Sequence, residues 1–126
     1  MPKQALMIVD HGSTRAESNE MLKFVGATVK ELAPDLIVQI AHMELAEPTI
    51  PQGFAQCVKE GAEDIVVLPY MLGPGKHATR DIPRLVGEAA AAHPGVSFRV
   101  TGCLGISRKI ASLILERAGL EQLAEK

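Results

Sequence analysis

The segment ALMIVDHGS, residues 5–13, joins a short apolar run to a polar turn that contains a glycine. The continuous apolar run, residues 5–9, is typical of a strand whose two faces are both covered, as in a parallel sheet between helices. It is too short for a membrane span or for the apolar part of a signal peptide. Ligands of open parallel sheets bind beyond the carboxyl ends of the strands. The segment therefore predicts the first strand and, directly after it, one side of a binding site.

Three further apolar runs alternate with helical patterns along the rest of the chain. The predicted strands are residues 5–9, 36–41, 64–70 and 96–100, and the predicted helices run from about Thr14 to Pro34, Thr49 to Glu60, Asp81 to His93 and Ser107 to Gly119. Strands joined by right-handed helical crossovers form a parallel sheet with helices on both faces. The predicted fold class is α/β, a small doubly wound four-stranded parallel sheet similar to flavodoxin. No repeat, low-complexity tract or linker divides the chain, so residues 1–126 are expected to form a single domain.

Capping residues predict where the helices begin and end. Thr14 and Glu17 have the spacing of a capping box for the first helix, Asp81 is expected to cap the third, and Ser107 the fourth. Gly119 marks the end of the fourth helix. Apolar residues at helical spacing predict a buried stripe on that helix, formed by Ile110, Leu113, Ile114 and Ala118.

The composition narrows the classes of partner. The 126 residues carry a formal net charge of −2, with no Trp and one Tyr. The composition therefore provides neither the basic surface nor the aromatic stacking platforms that favour nucleic-acid binding. The two cysteines, Cys57 and Cys103, form no CxxC pair, and Cys57 has the surroundings of a small buried hydrophobe. No apolar stretch approaches membrane length. These features predict a soluble protein of a reducing compartment, the cytoplasm.

Three of the four histidines lie just beyond predicted strand ends: His11 after the first strand, His42 after the second and His77 after the third. They should therefore meet at one edge of the sheet. His93 falls at the opposite edge, at a helix end, where a structural role is favoured. His11 and His77 each have an alternative interpretation as ordinary loop histidines, and His42 as a core residue. Their convergence, within turns that contain glycine, favours a shared site for the pair His11 and His77.

Motifs for several common activities are absent. The loop GPGKHAT, residues 73–79, lacks the spacing of a phosphate-binding P-loop and has a histidine where Ser or Thr would hold magnesium. No GxGxxG follows the first strand, and no GxSxG surrounds Ser13. Nucleotide binding and serine hydrolysis are therefore not supported.

Four segments together resemble the small single-domain sirohydrochlorin chelatases, the CbiX-type class II metal chelatases. They are VDHGS (9–13), HMELAEPTIPQGF (42–54), LPYMLGPGKH (68–77) and HATRDIPRLVGEA (77–89). The resemblance spans most of the chain, and the joint occurrence of HGS, MELAEP and a GxH-x-x-x-DIP stretch is more specific than any one of these motifs. It implies one half of a double-domain chelatase fold, which is expected to pair as a homodimer around the macrocycle.

The resemblance also implies roles for individual residues. His11 would be a metal ligand and the proton acceptor, His77 a second metal ligand, and Glu47 a contact to the tetrapyrrole. The loop expected to line the macrocycle consists of Leu72, Gly73, Pro74, Gly75 and Lys76. This sequence departs from the pattern in two ways: Asp10 stands where many relatives have Gly, and the His-rich tract of some members is missing.

The implied activity is insertion of a divalent metal into sirohydrochlorin, with cobalt first among cobalt, nickel and iron, for cobalamin or a related cofactor. The metal would be a substrate, and no tightly bound cofactor is expected. Imidazole suits the reaction because it ligates these ions and accepts protons near neutral pH. We expect His11 to remove pyrrole protons and His77 to anchor the ion, with Glu44 or Glu47 assisting. A metal or tetrapyrrole carrier without turnover, and a flavodoxin-like regulatory domain, are the alternatives.

Two charged neighbours of the pair have open roles. Asp10 could orient His11 as an acceptor or could simply cap the turn. Lys76 and Arg80 could receive carboxylates of the substrate, although Arg80 could equally be a solvated surface charge.

Overall fold

The structure is a computed structural model that describes residues 3–125. Its strands are β1 (Gln4–Asp10), β2 (Ile37–His42), β3 (Asp64–Pro69) and β4 (Ser97–Val100), and its α-helices are α1 (Ala16–Leu32), α2 (Ile50–Lys59), α3 (Ile82–Ala90) and α4 (Arg108–Ala118). A π-helical turn, His77–Asp81, precedes α3, and a 3-10 turn, Glu121–Leu123, follows α4. The strands pair in parallel in the order β2-β1-β3-β4. The predicted four-stranded doubly wound sheet is confirmed.

The main core lies between the sheet and the helices α2 and α3. Alternate residues of β1, Ala5, Met7 and Val9, are wholly buried on this face, because successive side chains of a strand point to opposite faces. Phe54 of α2 and Val86 of α3 pack against them and are also wholly buried. Burial of each large apolar side chain stabilises the fold by about 1.5–3 kcal/mol, so this core fixes the strands that position the loops at their carboxyl ends.

Helix α1 covers the other face of the sheet through Leu22 and Gly26, which are buried. A Cβ at position 26 would lie 2.7 Å from Cγ2 of Ile40, so the helix reaches β2 only because this residue is glycine. Within residues 3–125 no helix is both long and apolar enough to cross a membrane.

The start of helix α1 differs from the prediction. The capping box of Thr14 and Glu17 is wrong: α1 begins at Ala16, and no side chain caps it. Instead the amide of Arg15 donates to Oγ of Ser13, and the Asn19 side chain bonds both the amide and the carbonyl of Ser13, at 3.0 and 2.7 Å. These bonds close the turn after β1, and α1 begins one residue later than a start capped by Thr14 would place it.

The third helix also differs from the prediction at both ends. Asp81 has helical backbone angles and makes no capping bond, so its assignment as an N-cap is wrong; the helical path already begins in the turn at His77. The helix ends at Ala90 rather than at His93. The ring of His93 lies 5.6 Å from that of Phe54, which agrees with a structural role.

The last helix begins and ends as predicted but is not buried as predicted. Oγ of Ser107 accepts a hydrogen bond from the amide of Lys109, and Gly119 has a φ of 75°. However, α4 has no buried residue, and 42% of Leu113 and 62% of Ile114 are exposed. Helical spacing predicts an apolar stripe, but it does not show whether the same chain covers it.

Candidate functional site

The loops that follow β1 and β3 bring His11 and His77 together at one edge of the sheet. Their ring centroids lie 4.8 Å apart, with an angle of 63° between the ring planes. Both side chains are partly exposed, so the pair faces an open surface. Within residues 3–125 no group of three or more His, Cys, Asp or Glu side chains is arranged as a closed metal centre. The arrangement is therefore an open pair of nitrogen donors, which suits a site that passes an ion on.

His11 contacts an acceptor through each ring nitrogen. Nδ1 lies 3.1 Å from the carbonyl oxygen of Gly12, and Nε2 lies 3.0 Å from Oε1 of Glu44. A carbonyl oxygen only accepts, so Nδ1 must donate to it. With Nδ1 as the donor, Nε2 is the nitrogen at which His11 can take up a further proton, and the Glu44 carboxylate lies beside it.

His77 is held by a carboxylate instead. Its Nδ1 lies 2.9 Å from Oδ2 of Asp81, four residues further along the π-helical turn. Burial works to raise the pKa of Asp81, but the hydrogen bonds from His77 and Arg80 outweigh it, so the pKa lies below its usual value. The sequence assigned Asp81 only a capping role. The spacing of four residues in a helical turn is the signal that could have identified the contact with His77.

The loop after β2 is tied to the loop after β1 by the backbone. The amide of Met43 donates to the carbonyl of Asp10 at 2.8 Å, and the amide of Glu44 donates to the carbonyl of His11 at 3.1 Å. Gly12 permits this approach: its φ is +93°, and a Cβ there would lie 1.9 Å from the carbonyl oxygen of Glu44. The backbone pairing of β1 and β2 thus continues into the loops that follow them and places Glu44 beside His11.

Beneath this contact, Asp10 and His42 form a pair that the sequence did not predict. Oδ1 of Asp10 lies 2.6 Å from Nδ1 of His42, whose side chain is wholly buried. Nε2 of His42 has no hydrogen-bond partner. Asp10 therefore neither orients His11 nor caps the turn, because its carboxylate points across the sheet to the neighbouring strand, β2.

The residues assigned to the tetrapyrrole are all exposed: Glu47, Leu72, Gly73, Pro74, Gly75 and Lys76. Oε2 of Glu47 accepts a hydrogen bond from the Gln52 side chain at 2.9 Å. Gly73 and Gly75 have open space where a Cβ would be, and neither has a positive φ. These two glycines therefore do not serve a left-handed turn, and the open space beside them suits a loop that a ligand approaches closely.

Arg80 is exposed and lies beside Asp81, with Nε 3.4 Å from Oδ1. Its side chain is 66% exposed, as that of a surface charge would be, and it shares the carboxylate that holds His77.

The fold and the site define a class: a doubly wound α/β domain with an open histidine pair at the carboxyl edge of its sheet. The family model CbiX matches residues 5–120, which is most of the chain. The chain belongs to the CbiX family of sirohydrochlorin chelatases.

Similar proteins agree with this assignment. The chloroplastic sirohydrochlorin ferrochelatase of Arabidopsis thaliana is 44% identical over 112 residues, which cover 89% of this chain and 50% of that protein. The sirohydrochlorin cobaltochelatase of Methanocaldococcus jannaschii is 46% identical over 84 residues, which cover 67% of this chain and 59% of that protein. The solved structure of SirB from Bacillus subtilis with Fe3+ superposes with a TM-score of 0.86 at 30% identity, over 98% of this chain and 48% of that one. The chain thus spans about half the length of the relatives that it matches.

Proposed function

We propose that this protein is a sirohydrochlorin chelatase, which inserts a divalent metal ion into the tetrapyrrole. The observation that supports the proposal is the pair His11 and His77, 4.8 Å apart at an exposed edge, each held through Nδ1. The relatives named above carry this activity in their names, for iron in one case and for cobalt in another.

The reaction exchanges two pyrrole protons for one metal ion, so the site must hold the ion and accept protons. Nδ1 of His77 donates to Asp81, which leaves Nε2 as a free lone pair toward the ion. His11 takes a pyrrole proton at Nε2, and Glu44, 3.0 Å away, stabilises the charge that forms or receives the proton. The second proton follows the same route after His11 has released the first. His77 stays a ligand throughout the transfer, whereas His11 can ligate the ion through Nε2 only before it takes up a proton there, so its two roles follow one another.

The tetrapyrrole is a large ring with many carboxylates, and the exposed loop 72–76 and Glu47 would border it. Lys76 supplies a positive charge beside His77 for one of these carboxylates. Leu72, which is 70% exposed, offers apolar surface for the face of the ring. The order of affinities at nitrogen donors places Co2+ above Fe2+, so we propose cobalt as the preferred metal of the two.

Insertion into purified sirohydrochlorin, followed by absorbance with limiting protein, tests the proposal. We expect multiple turnovers, with Co2+ inserted faster than Fe2+, and losses of about 100-fold or more for His11→Ala and for His77→Ala. The matched control is His93→Ala, at the opposite edge, which should keep the wild-type rate. Stoichiometric binding without turnover would instead identify a carrier, and an unchanged spectrum would exclude both functions.

We also propose that two copies of the chain associate, since this chain corresponds to about half of the Arabidopsis thaliana ferrochelatase and of SirB. Helix α4 provides a surface for a second copy: Leu113 and Ile114 are exposed, as are Leu120 and Leu123 just after the helix. Sedimentation at several concentrations should show a dimer that Ile114→Asp converts to a monomer, while Glu116→Ala leaves it intact. A wild-type chain that sediments as a monomer throughout would contradict this.

The free thiols of this chain agree with a reducing compartment, and we propose the cytoplasm.

A further inference from the structure

We infer that Asp81 is a positioning residue for His77: its carboxylate selects the tautomer of the ring and keeps Nε2 directed to the incoming ion. The inference deepens the proposed function and rests on it for the identity of the ligand. The contact itself is a property of the free protein and can be tested without any assay of insertion.

The geometry allows only one direction of hydrogen bonding. Oδ2 of Asp81 lies 2.9 Å from Nδ1 of His77, and an ionised carboxylate has no proton to donate. Nδ1 of His77 must therefore carry the proton, and Nε2 of the neutral ring carries the lone pair. A free imidazole would exchange between both tautomers.

The carboxylate is itself fixed in place. Only 14% of the Asp81 side chain is exposed, against 47% of His77. Its second oxygen, Oδ1, lies 3.4 Å from Nε of Arg80, so the two oxygens have different partners. Asp81 also lies where the π-helical turn meets α3, and the amide of Ile82 donates to the carbonyl of His77 across this turn. His77 and its carboxylate are thus joined by both side chain and backbone.

The two histidines of the site differ in the group that their Nδ1 atoms contact. Nδ1 of His11 meets a neutral carbonyl, that of Gly12, whereas Nδ1 of His77 meets a carboxylate. A carboxylate partner raises the basicity of Nε2 as a metal ligand more than a carbonyl does, and partners of this kind orient metal-binding histidines. The difference assigns the anchoring of the ion to His77 and leaves His11 for proton transfer.

The test compares the wild-type chain with Asp81→Ala, Asp81→Asn and a matched control, Glu88→Ala. Glu88 lies on the same helical segment, in an ion pair with Arg84 at 3.4 Å, and does not contact His77. Long-range 1H–15N spectra of the metal-free proteins at mildly alkaline pH report the tautomer of His77. Steady-state insertion with Co2+ reports KM for the metal separately from kcat.

We expect the wild type and Glu88→Ala to show the Nδ1–H tautomer of His77, and Asp81→Ala to shift toward Nε2–H. KM for Co2+ should rise about tenfold or more in Asp81→Ala. Asp81→Asn, which keeps an acceptor oxygen, should retain the tautomer and part of the affinity, and it remains informative where Asp81→Ala folds poorly. A wild-type tautomer and a wild-type KM in a folded Asp81→Ala variant, a wild-type KM in Asp81→Asn, or Nε2–H in the wild type would overturn the inference. If the tautomer shifts but the wild-type chain does not insert metal, the proposed function fails and the positioning role stands.

Discussion

Replacement of Gly12 by alanine tests how the site is built, because this residue lies where the loops after β1 and β2 meet. Its φ is +93°, a conformation that L side chains rarely adopt. A Cβ would lie 1.9 Å from the carbonyl oxygen of Glu44 and 3.2 Å from Cβ of His42. The first of these neighbours is backbone, so it cannot move aside as the end of a flexible side chain could.

The expected loss of stability has two parts. The left-handed backbone conformation costs an L residue about 1–2 kcal/mol, and forcing extra volume into a packed contact costs about 1–3 kcal/mol. Together they predict a loss of about 2–5 kcal/mol in the free energy of unfolding. In a domain of this size the loss corresponds to a fall in Tm of about 10–20 °C. The insertion rate should fall by about 100-fold, since Glu44 and His11 must separate and misplacement by about 1 Å has effects of that size.

Thermal and urea unfolding followed by circular dichroism, with insertion assays on the folded variant, measure both effects. The matched control is Gly87→Ala: Gly87 lies within α3 and has nothing within 4 Å of the added Cβ. This change should stabilise the chain by about 1 kcal/mol, because alanine favours helices over glycine. If Gly12→Ala unfolds within about 0.5 kcal/mol of the wild type, which is the usual range for a neutral surface change, and inserts metal at the full rate, the backbone contact does not build the site.

Two further predictions concern buried groups. Burial, and to a lesser extent the charge of Glu60, raises the pKa of the Cys57 thiol from 9.0 to about 12. Iodoacetamide should therefore label Cys103 in the native protein and Cys57 only after unfolding. Mass spectrometry of peptides from the labelled protein measures this difference. Because the pKa of Cys57 is raised in the folded state, its contribution to the free energy of unfolding is complete below pH 9 and is lost as the pH rises toward 12. Labelling of Cys57 before the protein unfolds would contradict its burial. His42→Ala should cost about 2–4 kcal/mol by leaving a cavity and an unpaired Asp10, and its effect combined with Asp10→Asn should be less than additive in urea unfolding. Strict additivity would show that the pair does not interact.

Much of the site could be predicted from the order of elements along the chain. His11 and His77 follow β1 and β3, which are neighbours in the sheet, and the carboxyl ends of parallel strands lie at one edge. The same rule predicts that His93 lies at the opposite edge of the sheet, away from His11 and His77. The partners of these histidines could not be predicted in this way. Glu44 is predicted only as an assisting group, and its contact with His11, like that of the Gly12 carbonyl, depends on where a loop turns. Asp81 follows His77 by four residues, but this spacing indicates a contact only where the turn is helical.

The α/β class, the parallel sheet and the edge where His11 and His77 meet follow from the sequence alone, because the alternation of apolar runs and the handedness of crossovers leave few arrangements. The folded structure set the distance of 4.8 Å between the two rings and the partner of each ring, a carboxylate for His77 and a carbonyl for His11. It also decided that Asp10 pairs with His42 and that the apolar stripe of α4 remains uncovered. These features depend on contacts between distant segments, at distances set by packing to within an ångström, whereas a sequence pattern specifies only which face of an element each residue occupies.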